Sequence, residues 1–282
     1  HRDLHSFPTR RSSDLVWAQG FGWSDKENKI PAGPDTVFML GSGTKTLTTT
    51  ALLKLHEQGT IDIDRPVTDY LPEFTMKARY PNQMQNITVR RMLNHHSGIS
   101  GDIYNGGFLE EPSWNQWGCN LYMDWLLNYL STDYPSHAPG EMLSYSNTGF
   151  VLSGEVALRM GGQAGEAFQD YLNREVFIPL GMNHTSLFLI PKNLALGYIN
   201  GEAMPNSVTN CTFGATGGAY TTVNDMARFL LMVINEGLGP NGNRFLKQET
   251  VAMFGEMEHT TLDIDSVLDR KSTRLNSSHR IR

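Results

Sequence analysis

The sequence predicts a globular chain of mixed helix and strand in which helix has the larger share. Apolar residues recur three or four positions apart over 47–55, which is the spacing of an amphipathic helix, and Gly59 is a natural end for it. The stretches 16–23 and 36–40 are rich in aromatic and β-branched residues and lie beside turn residues, so they predict strands. No uninterrupted apolar run is long enough to cross a bilayer.

The same spacing rule, together with the positions of Gly and Pro, predicts further helices along the chain. They span 66–70, 88–93, 121–130, 149–160, 166–176, 226–236 and 247–257. Thr222 stands three residues before Asp225 ahead of the helix 226–236 and resembles a capping box, with Asp where Glu or Gln is usual.

Both ends of the chain resemble translations of a common sequencing adapter. One oligonucleotide encodes residues 269–272, and its reverse complement encodes residues 11–15. The wider strings 5–15 and 269–279 fit the same source. We therefore expect 1–15 and 269–282 to be scars that take no part in the fold.

The remaining segment, 16–268, is acidic. The whole sequence carries 23 Lys and Arg against 29 Asp and Glu, and its ends hold eight of the basic and three of the acidic residues. The segment between them keeps 15 basic and 26 acidic residues, a net charge of −11. Such a charge, without basic runs, argues against nucleic acid and against anionic membrane surfaces as partners.

Ser42 stands one helical turn before Lys45 at the start of the best predicted helix. Residues at i and i+3 are neighbours on a helix surface, so the lysine can reach the serine hydroxyl. A lysine held out of water loses part of its preference for the charged form and can act as a base toward serine. The spacing alone also fits a polar helix cap followed by a solvated lysine, so other features must decide between the two.

Two pairs of potential metal ligands are interpreted as structural. Asp62 and Asp64 lack the remaining ligand positions of a calcium loop. His95 and His96 are adjacent, so on a helix their side chains would point about 100° apart, and the chain has no His-Glu-x-x-His pattern. We expect backbone groups to satisfy the histidines, and we predict neither a metal nor a cofactor.

The segment 104–117 is rich in Gly, Pro, Asn and aromatic residues and has no periodicity, which indicates a long loop. Its Trp114 and Trp117 either wall an apolar substrate pocket or cap the core, and both interpretations stay open. Cys119 and Cys211 have neither CxxC spacing nor a matching ligand set. Two free thiols are expected, with a single bridge as the alternative.

Five short motifs occur in an order and at separations typical of one superfamily. They are Phe38 to Lys45, Leu93 to Ile99, Pro139 to Phe150, Pro179 to Met182 and Gly217 to Phe229. Together they resemble the serine β-lactamase and penicillin-binding-protein superfamily, above all its class C branch with D,D-peptidase and esterase relatives. The resemblance covers nearly all of 16–268, and the Ser-Asp-Asn motif of the class A branch is absent from the chain.

The resemblance implies a role for each matching residue. Ser42 falls on the nucleophile and Lys45 on its base. Tyr145 falls on a tyrosine that relays protons, because a phenol near a lysine ammonium can have a lowered pKa. Asn147 falls on an amide that holds the lysine and a substrate carbonyl. The expected substrate-binding residues are Asn147, Gly217, Gly218, Trp114 and Trp117.

One element of the superfamily has no match. A Lys-Thr-Gly or His-x-Gly triad, on a strand that supplies one oxyanion-hole amide beside the backbone N–H of Ser42, is missing after Phe229. We expect a truncation, because adapter-like sequence stands where the triad would follow. On that interpretation this fragment is inactive by itself, and a pseudoenzyme that never had the triad is the alternative.

The resemblance also implies the fold and its division into domains. The expected fold is an α/β (α+β) sandwich with a mainly antiparallel sheet flanked by helices, plus an all-helical domain. Residues 16–75 and 214–268 would form the sheet domain and 76–213 the helical domain.

The expected function is that of a serine hydrolase that forms an acyl-enzyme on an amide or ester. The substrate would be a β-lactam, a D-Ala-D-Ala-type peptide or a short ester. A carboxylesterase without β-lactam activity is one alternative, and a catalytically dead binding or scaffold member is the other. By the same resemblance the protein would be periplasmic, secreted or membrane-anchored.

Overall fold

The helix that follows Ser42 is the element around which the described core is packed. The computed structural model describes residues 17–101, 119–187, 193–204 and 214–256, with side chains from residue 123 onward in the second range. Helix α1 (Thr44–Glu57) has buried residues on most of its circumference and packs against three other helices, α5 (Asn147–Gly161), α6 (Phe168–Leu172) and α9 (Gln248–Ala252). It ends as predicted, because Gly59 adopts a left-handed conformation with φ +73°.

The other described helices are α2 (Gln83–Asn86), α3 (Val89–Leu93), α4 (Cys119–Ser131), α7 (Ile178–Leu180) and α8 (Val223–Ile234). Short 3-10 turns cover Gly41–Gly43, Val67–Asp69 and Met253–Gly255. The strands are β1 (Trp23–Asp25), β2 (Ile30–Pro31), β3 (Phe38–Met39), β4 (Tyr198–Ile199), β5 (Glu202–Ala203) and β6 (Tyr220–Thr221). In the described ranges of the chain, no helix is both long enough and apolar enough to cross a membrane.

The strands form antiparallel pairs, and one pair joins distant parts of the chain. β1 pairs with β2, β4 pairs with β5, and β3 pairs with β6 so that Phe38 lies opposite Thr221. The amide of Leu40 donates to the carbonyl of Ala219 at 2.7 Å, which continues the β3–β6 contact toward Ser42. This pairing brings the stretch that follows residue 213 beside the start of α1.

The predicted strand 16–23 is wrong in its described part. Residues 17–22 are not a strand, and β1 begins only at Trp23. Gly22 has φ +73°, a left-handed conformation that interrupts an extended chain immediately before β1.

The predicted helix 166–176 is divided. Helix α6 passes into a π-helical turn over Asn173–Phe177, which is followed by α7. Pro179 has no N–H and therefore cannot donate to the carbonyl of Glu175 as a helical residue would. Lys54 of α1 donates to that carbonyl at 3.0 Å and pairs with the Glu175 carboxylate at 2.8 Å. The irregular turn is thereby fixed to α1.

Two helix starts carry side-chain caps. Thr222 accepts from the amide of Asp225 at 3.1 Å, as the capping-box pattern predicts, and α8 begins at Val223. Ser146 accepts from the amide of Gly149 at 2.9 Å, so α5 begins at Asn147, two residues before its predicted start. This earlier start puts Asn147 in the first turn of α5.

The carboxylate of Asp225 links α8 to the preceding loop. It is fully buried and accepts from the amide of His184 at 2.7 Å, from the hydroxyl of Thr185 at 2.9 Å and from Arg228 at 2.9 Å. A buried carboxylate needs partners, and these three donors supply them while joining α8 to the loop at His184 and Thr185.

We expect Asp225→Ala to lower the free energy of unfolding by about 2–4 kcal/mol, since it removes the buried charged acceptor of three hydrogen bonds. Asp124→Ala is the matched control, because Asp124 is an exposed aspartate on α4 and its loss should cost no more than about 0.5 kcal/mol. Urea denaturation of both variants measures the difference. Equal stabilities would contradict the role given to the Asp225 carboxylate.

Candidate active site

Ser42 lies in the 3-10 turn that leads into α1, and Lys45 follows in the first turn of that helix. Gly41 takes φ +56°, a left-handed conformation that turns the chain from β3 into the Ser42 turn. The distance from Lys45 Nζ to Ser42 Oγ is 3.3 Å. The predicted contact between serine and lysine is therefore present.

Lys45 is buried and held by oxygen atoms from two remote segments. Its side chain is 6% exposed, and Nζ donates to Asn147 Oδ1 at 2.7 Å and to the carbonyl of Thr216 at 2.7 Å. These two acceptors bind two of the amine hydrogens. The remaining tetrahedral direction at the nitrogen points toward Ser42. In the neutral amine, that position is a lone pair able to accept the serine proton.

Tyr145 approaches Ser42 from the other side. Its hydroxyl donates to Ser42 Oγ at 2.6 Å, and its ring centroid lies 4.8 Å from Lys45 Nζ. The tyrosine is 46% exposed, in contrast to the buried lysine. Ser42 Oγ therefore lies between a buried amine and an accessible phenol.

The segment 214–220 closes the site beside α1. Thr44 accepts from the amide of Ala219 at 3.0 Å, and Thr48 donates to the carbonyl of Ala215 at 2.8 Å. These bonds fix the carbonyl of Thr216 against Lys45. Sequence reasoning missed Thr44, Thr48 and Thr216, and the Gly217-Gly218 motif was the only sign that this segment approaches the serine.

Gly217 and Gly218 do lie next to the Ser42 turn. Gly218 is buried and Gly217 is partly exposed, and a Cβ added to Gly217 would lie 3.6 Å from the carbonyl carbon of Gly41. Their assignment to substrate binding stays a prediction. Trp114 and Trp117, the two other predicted wall residues, lie outside the described residues, as do the side chains of Cys119 and Cys211.

A cavity of about 670 Å³ opens at the serine and extends along one face of α1. The end at the serine is lined by Ser42, Lys45, Tyr145, His95 and Phe150. Its other end reaches Leu53, Ile63, Arg90, Met253, Phe254 and Glu256. The volume is that of a pocket for a small molecule or a short peptide end.

The adjacent histidines are bound to backbone groups. His95 Nδ1 accepts from the amide of Ser146 at 3.1 Å, and His96 Nδ1 lies 2.8 Å from the carbonyl of Asn94. Burial, followed by the nearby Lys45 and His96, lowers the pKa of the His95 imidazole to about 4. In the described part of the chain, no group of three or more His, Cys, Asp or Glu could hold a metal ion.

Known proteins resemble this chain over most of its length. A putative penicillin-binding protein, PbpX of Bacillus subtilis (strain 168), is 30% identical over 178 residues, which are 63% of this chain and 40% of the relative. Protein flp of Staphylococcus aureus (strain N315) is 28% identical over 223 residues, 77% of this chain and 42% of the relative. The chain thus spans about two fifths of the length of these curated relatives.

Solved structures share the fold. The octameric penicillin-binding protein homologue from Pyrococcus abyssi has a TM-score of 0.66 at 27% identity, over 85% of this chain and 53% of its own. A class C β-lactamase from Rhodobacter sphaeroides has a TM-score of 0.61 at 24% identity, over 82% of this chain and 60% of its own. The predicted β-lactamase/transpeptidase-like fold class is confirmed.

A family model described as Beta-lactamase matches residues 10–267. That match includes the Ser42 turn, Tyr145 and the segment 214–220. The superfamily suggested by the sequence motifs is thereby confirmed, and the chain belongs to the Beta-lactamase family.

Proposed function

We propose that this chain carries the acylation site of a serine hydrolase whose nucleophile is Ser42. The observation that carries the proposal is the position of Ser42 Oγ, 3.3 Å from Lys45 Nζ and 2.6 Å from the Tyr145 hydroxyl. A serine between two groups that can exchange protons fits nucleophilic catalysis. A polar helix cap with a solvated lysine does not fit, because Lys45 is buried.

In the proposed reaction the neutral Lys45 amine takes the Ser42 proton while Oγ attacks the carbonyl carbon of an amide or ester. The negative charge that develops on the carbonyl oxygen is stabilised by the backbone N–H of Ser42. Tyr145, whose hydroxyl faces the cavity, gives its proton to the departing amine or alkoxide, and the phenolate takes one back from the protonated Lys45, whose Nζ lies 4.8 Å from the tyrosine ring centroid. Water then attacks the acyl-enzyme and releases the acid.

The substrate classes that we propose are β-lactams, D-Ala-D-Ala-type peptides and short esters. The named relatives support the first two, since one is a putative penicillin-binding protein and a fold neighbour is a β-lactamase/D-alanine carboxypeptidase from Yersinia pestis. The same serine, lysine and tyrosine would serve an ester. The choice among them requires measurement of acyl transfer.

We expect Ser42→Ala to abolish covalent labelling by a fluorescent penicillin and by an activated short-chain ester, because the variant lacks the hydroxyl that contacts both the lysine and the tyrosine. Ser97→Ala is the matched control and should keep most of the labelling, since its hydroxyl only accepts from the amide of Ile99 at 3.3 Å. Gel fluorescence and mass spectrometry of the labelled peptide measure both.

This labelling is measured on the 282-residue chain and on the chain extended through the expected Lys/His-x-Gly element. Labelling that is still present in Ser42→Ala would contradict the assignment of Ser42 as the nucleophile. Ester turnover without penicillin labelling would favour the carboxylesterase alternative. An extended protein that takes up neither reagent would favour the scaffold alternative.

We expect Lys45→Ala and Tyr145→Phe each to slow acylation by roughly a hundredfold or more, the usual scale for the loss of a general acid or base. Tyr134→Phe is the matched control, because Tyr134 is also 46% exposed and has Lys77 Nζ 5.5 Å from its ring centroid. Stopped-flow acylation rates measure the effects. If Tyr145→Phe were no slower than Tyr134→Phe, Tyr145 would have no role in proton transfer.

A further inference from the structure

His95 forms hydrogen bonds with the residues on both sides of Tyr145. Its carbonyl accepts from the amide of Ser144 at 2.8 Å, and its ring atom Nδ1 accepts from the amide of Ser146 at 3.1 Å. Ser146 is fully buried, so its amide needs an acceptor inside the protein. One residue thus bonds to both chain neighbours of the tyrosine.

The imidazole ring also supports the tyrosine ring itself. The ring centroids of His95 and Tyr145 are 4.3 Å apart with an interplanar angle of 31°, and Phe150 lies 5.2 Å from the imidazole. Aromatic rings at such separations attract each other and limit each other's motion. The phenol is therefore held at its ring as well as at its backbone.

The backbone of His95 adopts an unfavourable conformation. Its φ is +65°, in the left-handed region that costs a residue with a Cβ roughly 1–2 kcal/mol. That cost is offset by the two bonds to the Tyr145 neighbours and by the ring contact. A strained residue beside a candidate nucleophile suggests a functional constraint.

We propose that His95 is a positioning residue that fixes the Tyr145 phenol against Ser42, acting as a neutral imidazole with its hydrogen on Nε2. The inference rests on the proposed function of Tyr145 in proton transfer. The tautomer follows from the bond to Ser146, because a ring nitrogen that accepts from an N–H has no hydrogen of its own. Protonation of Nδ1 would place a second N–H opposite the N–H of Ser146, and two donors cannot form a hydrogen bond with each other.

The electrostatic surroundings keep the ring neutral. The charged or titratable groups that face it are Lys45, His96 and Tyr145, and no carboxylate of the described residues forms an ion pair with it. Its pKa is held at about 4 by burial first and then by Lys45 and His96. The imidazole can therefore accept from the Ser146 amide over the pH range in which the enzyme would act.

The kinetic test is a double-mutant cycle between His95 and Tyr145, measured as the acylation rate with fluorescent penicillin or activated ester. His95→Gly removes the ring and suits the positive φ, and we expect it to slow acylation by about 10- to 100-fold, the scale of a small misplacement of a catalytic group. His95→Asn returns an acceptor at the position of Nδ1 and tolerates the same φ, so it should recover most of the rate.

In the Tyr145→Phe background, His95→Gly should have little further effect, because the group that it positions is already lost. Losses that multiply in the double variant would overturn the proposal, as would a His95→Gly enzyme with the wild-type rate. His184→Asn is the control histidine variant, since His184 is largely exposed and does not line the cavity, and it should keep the wild-type rate.

A crystal structure of His95→Gly tests the same inference without activity. We expect Tyr145 to move so that its hydroxyl is no longer within hydrogen-bonding distance of Ser42 Oγ, and His95→Asn to restore that bond. An unchanged Tyr145 in His95→Gly would overturn the positioning role. If the wild-type protein is not acylated at all, the proposed function fails, while this structural result still decides the role of His95.

The neutral ring also predicts a pH dependence of stability. An unfolded histidine binds a proton near pH 6.5, whereas folded His95 does so only near pH 4, so the unfolded state binds more protons between these values. The free energy of unfolding should therefore fall as the pH decreases from 6.5 to 4. His95→Asn should flatten that part of the curve in urea denaturation, and an unaltered slope would contradict a neutral, buried His95.

Discussion

The side-chain nitrogen of Lys45 is the point at which three remote segments of the chain meet. Removing an amino group from water costs free energy unless its hydrogens find acceptors. Asn147 and Thr216 supply two of these acceptors from positions 102 and 171 residues away in the sequence. The start of α5 and the segment 214–220 must therefore be correctly docked on α1 before the lysine can be buried. The geometry at Ser42 depends on that docking.

The contacts of α1 explain how the docking is maintained. Two threonines on its first turns bind the backbone of 214–220, and Lys54 near its other end takes over the carbonyl that Pro179 leaves without a donor. Polar side chains on an otherwise buried helix thus fix two irregular segments, 214–220 and the π-helical turn at 173–177. A threonine side chain is short, so its hydroxyl can form a hydrogen bond with a backbone segment that packs directly against the helix.

The parts of this arrangement that could be predicted are those encoded in local spacing. Ser42 and Lys45 are three residues apart at a helix start, and Gly59 and Thr222 mark helix ends by their own backbone and side-chain preferences. The fold class and the family were accessible because the motifs keep a fixed order. What escaped prediction is set by partners distant in sequence.

The carbonyl of Thr216 and the ring of His95 illustrate that limit. Every residue type has a backbone carbonyl, so no sequence signal could single out the one that binds Lys45. His95 was expected to be bonded to backbone groups, and it is, but its partner is the residue after Tyr145 and this could not be read from the chain. The π-helical turn after α6 is likewise bound by a remote residue, Lys54, which lies 121 residues before the carbonyl to which it donates.

Lys45 and Tyr145 differ in their access to solvent and to the cavity. The lysine is 6% exposed and the tyrosine 46%, and Ser42 Oγ lies between them. A proton taken by the buried amine cannot easily pass to bulk water, whereas the phenol faces the cavity in which a leaving group would stand. An exposed phenol, however, is free to rotate unless something behind it prevents this. The imidazole of His95 packs against the tyrosine ring with 4.3 Å between the ring centroids, so under the proposed function the strained conformation of His95 serves to hold the phenol at Ser42.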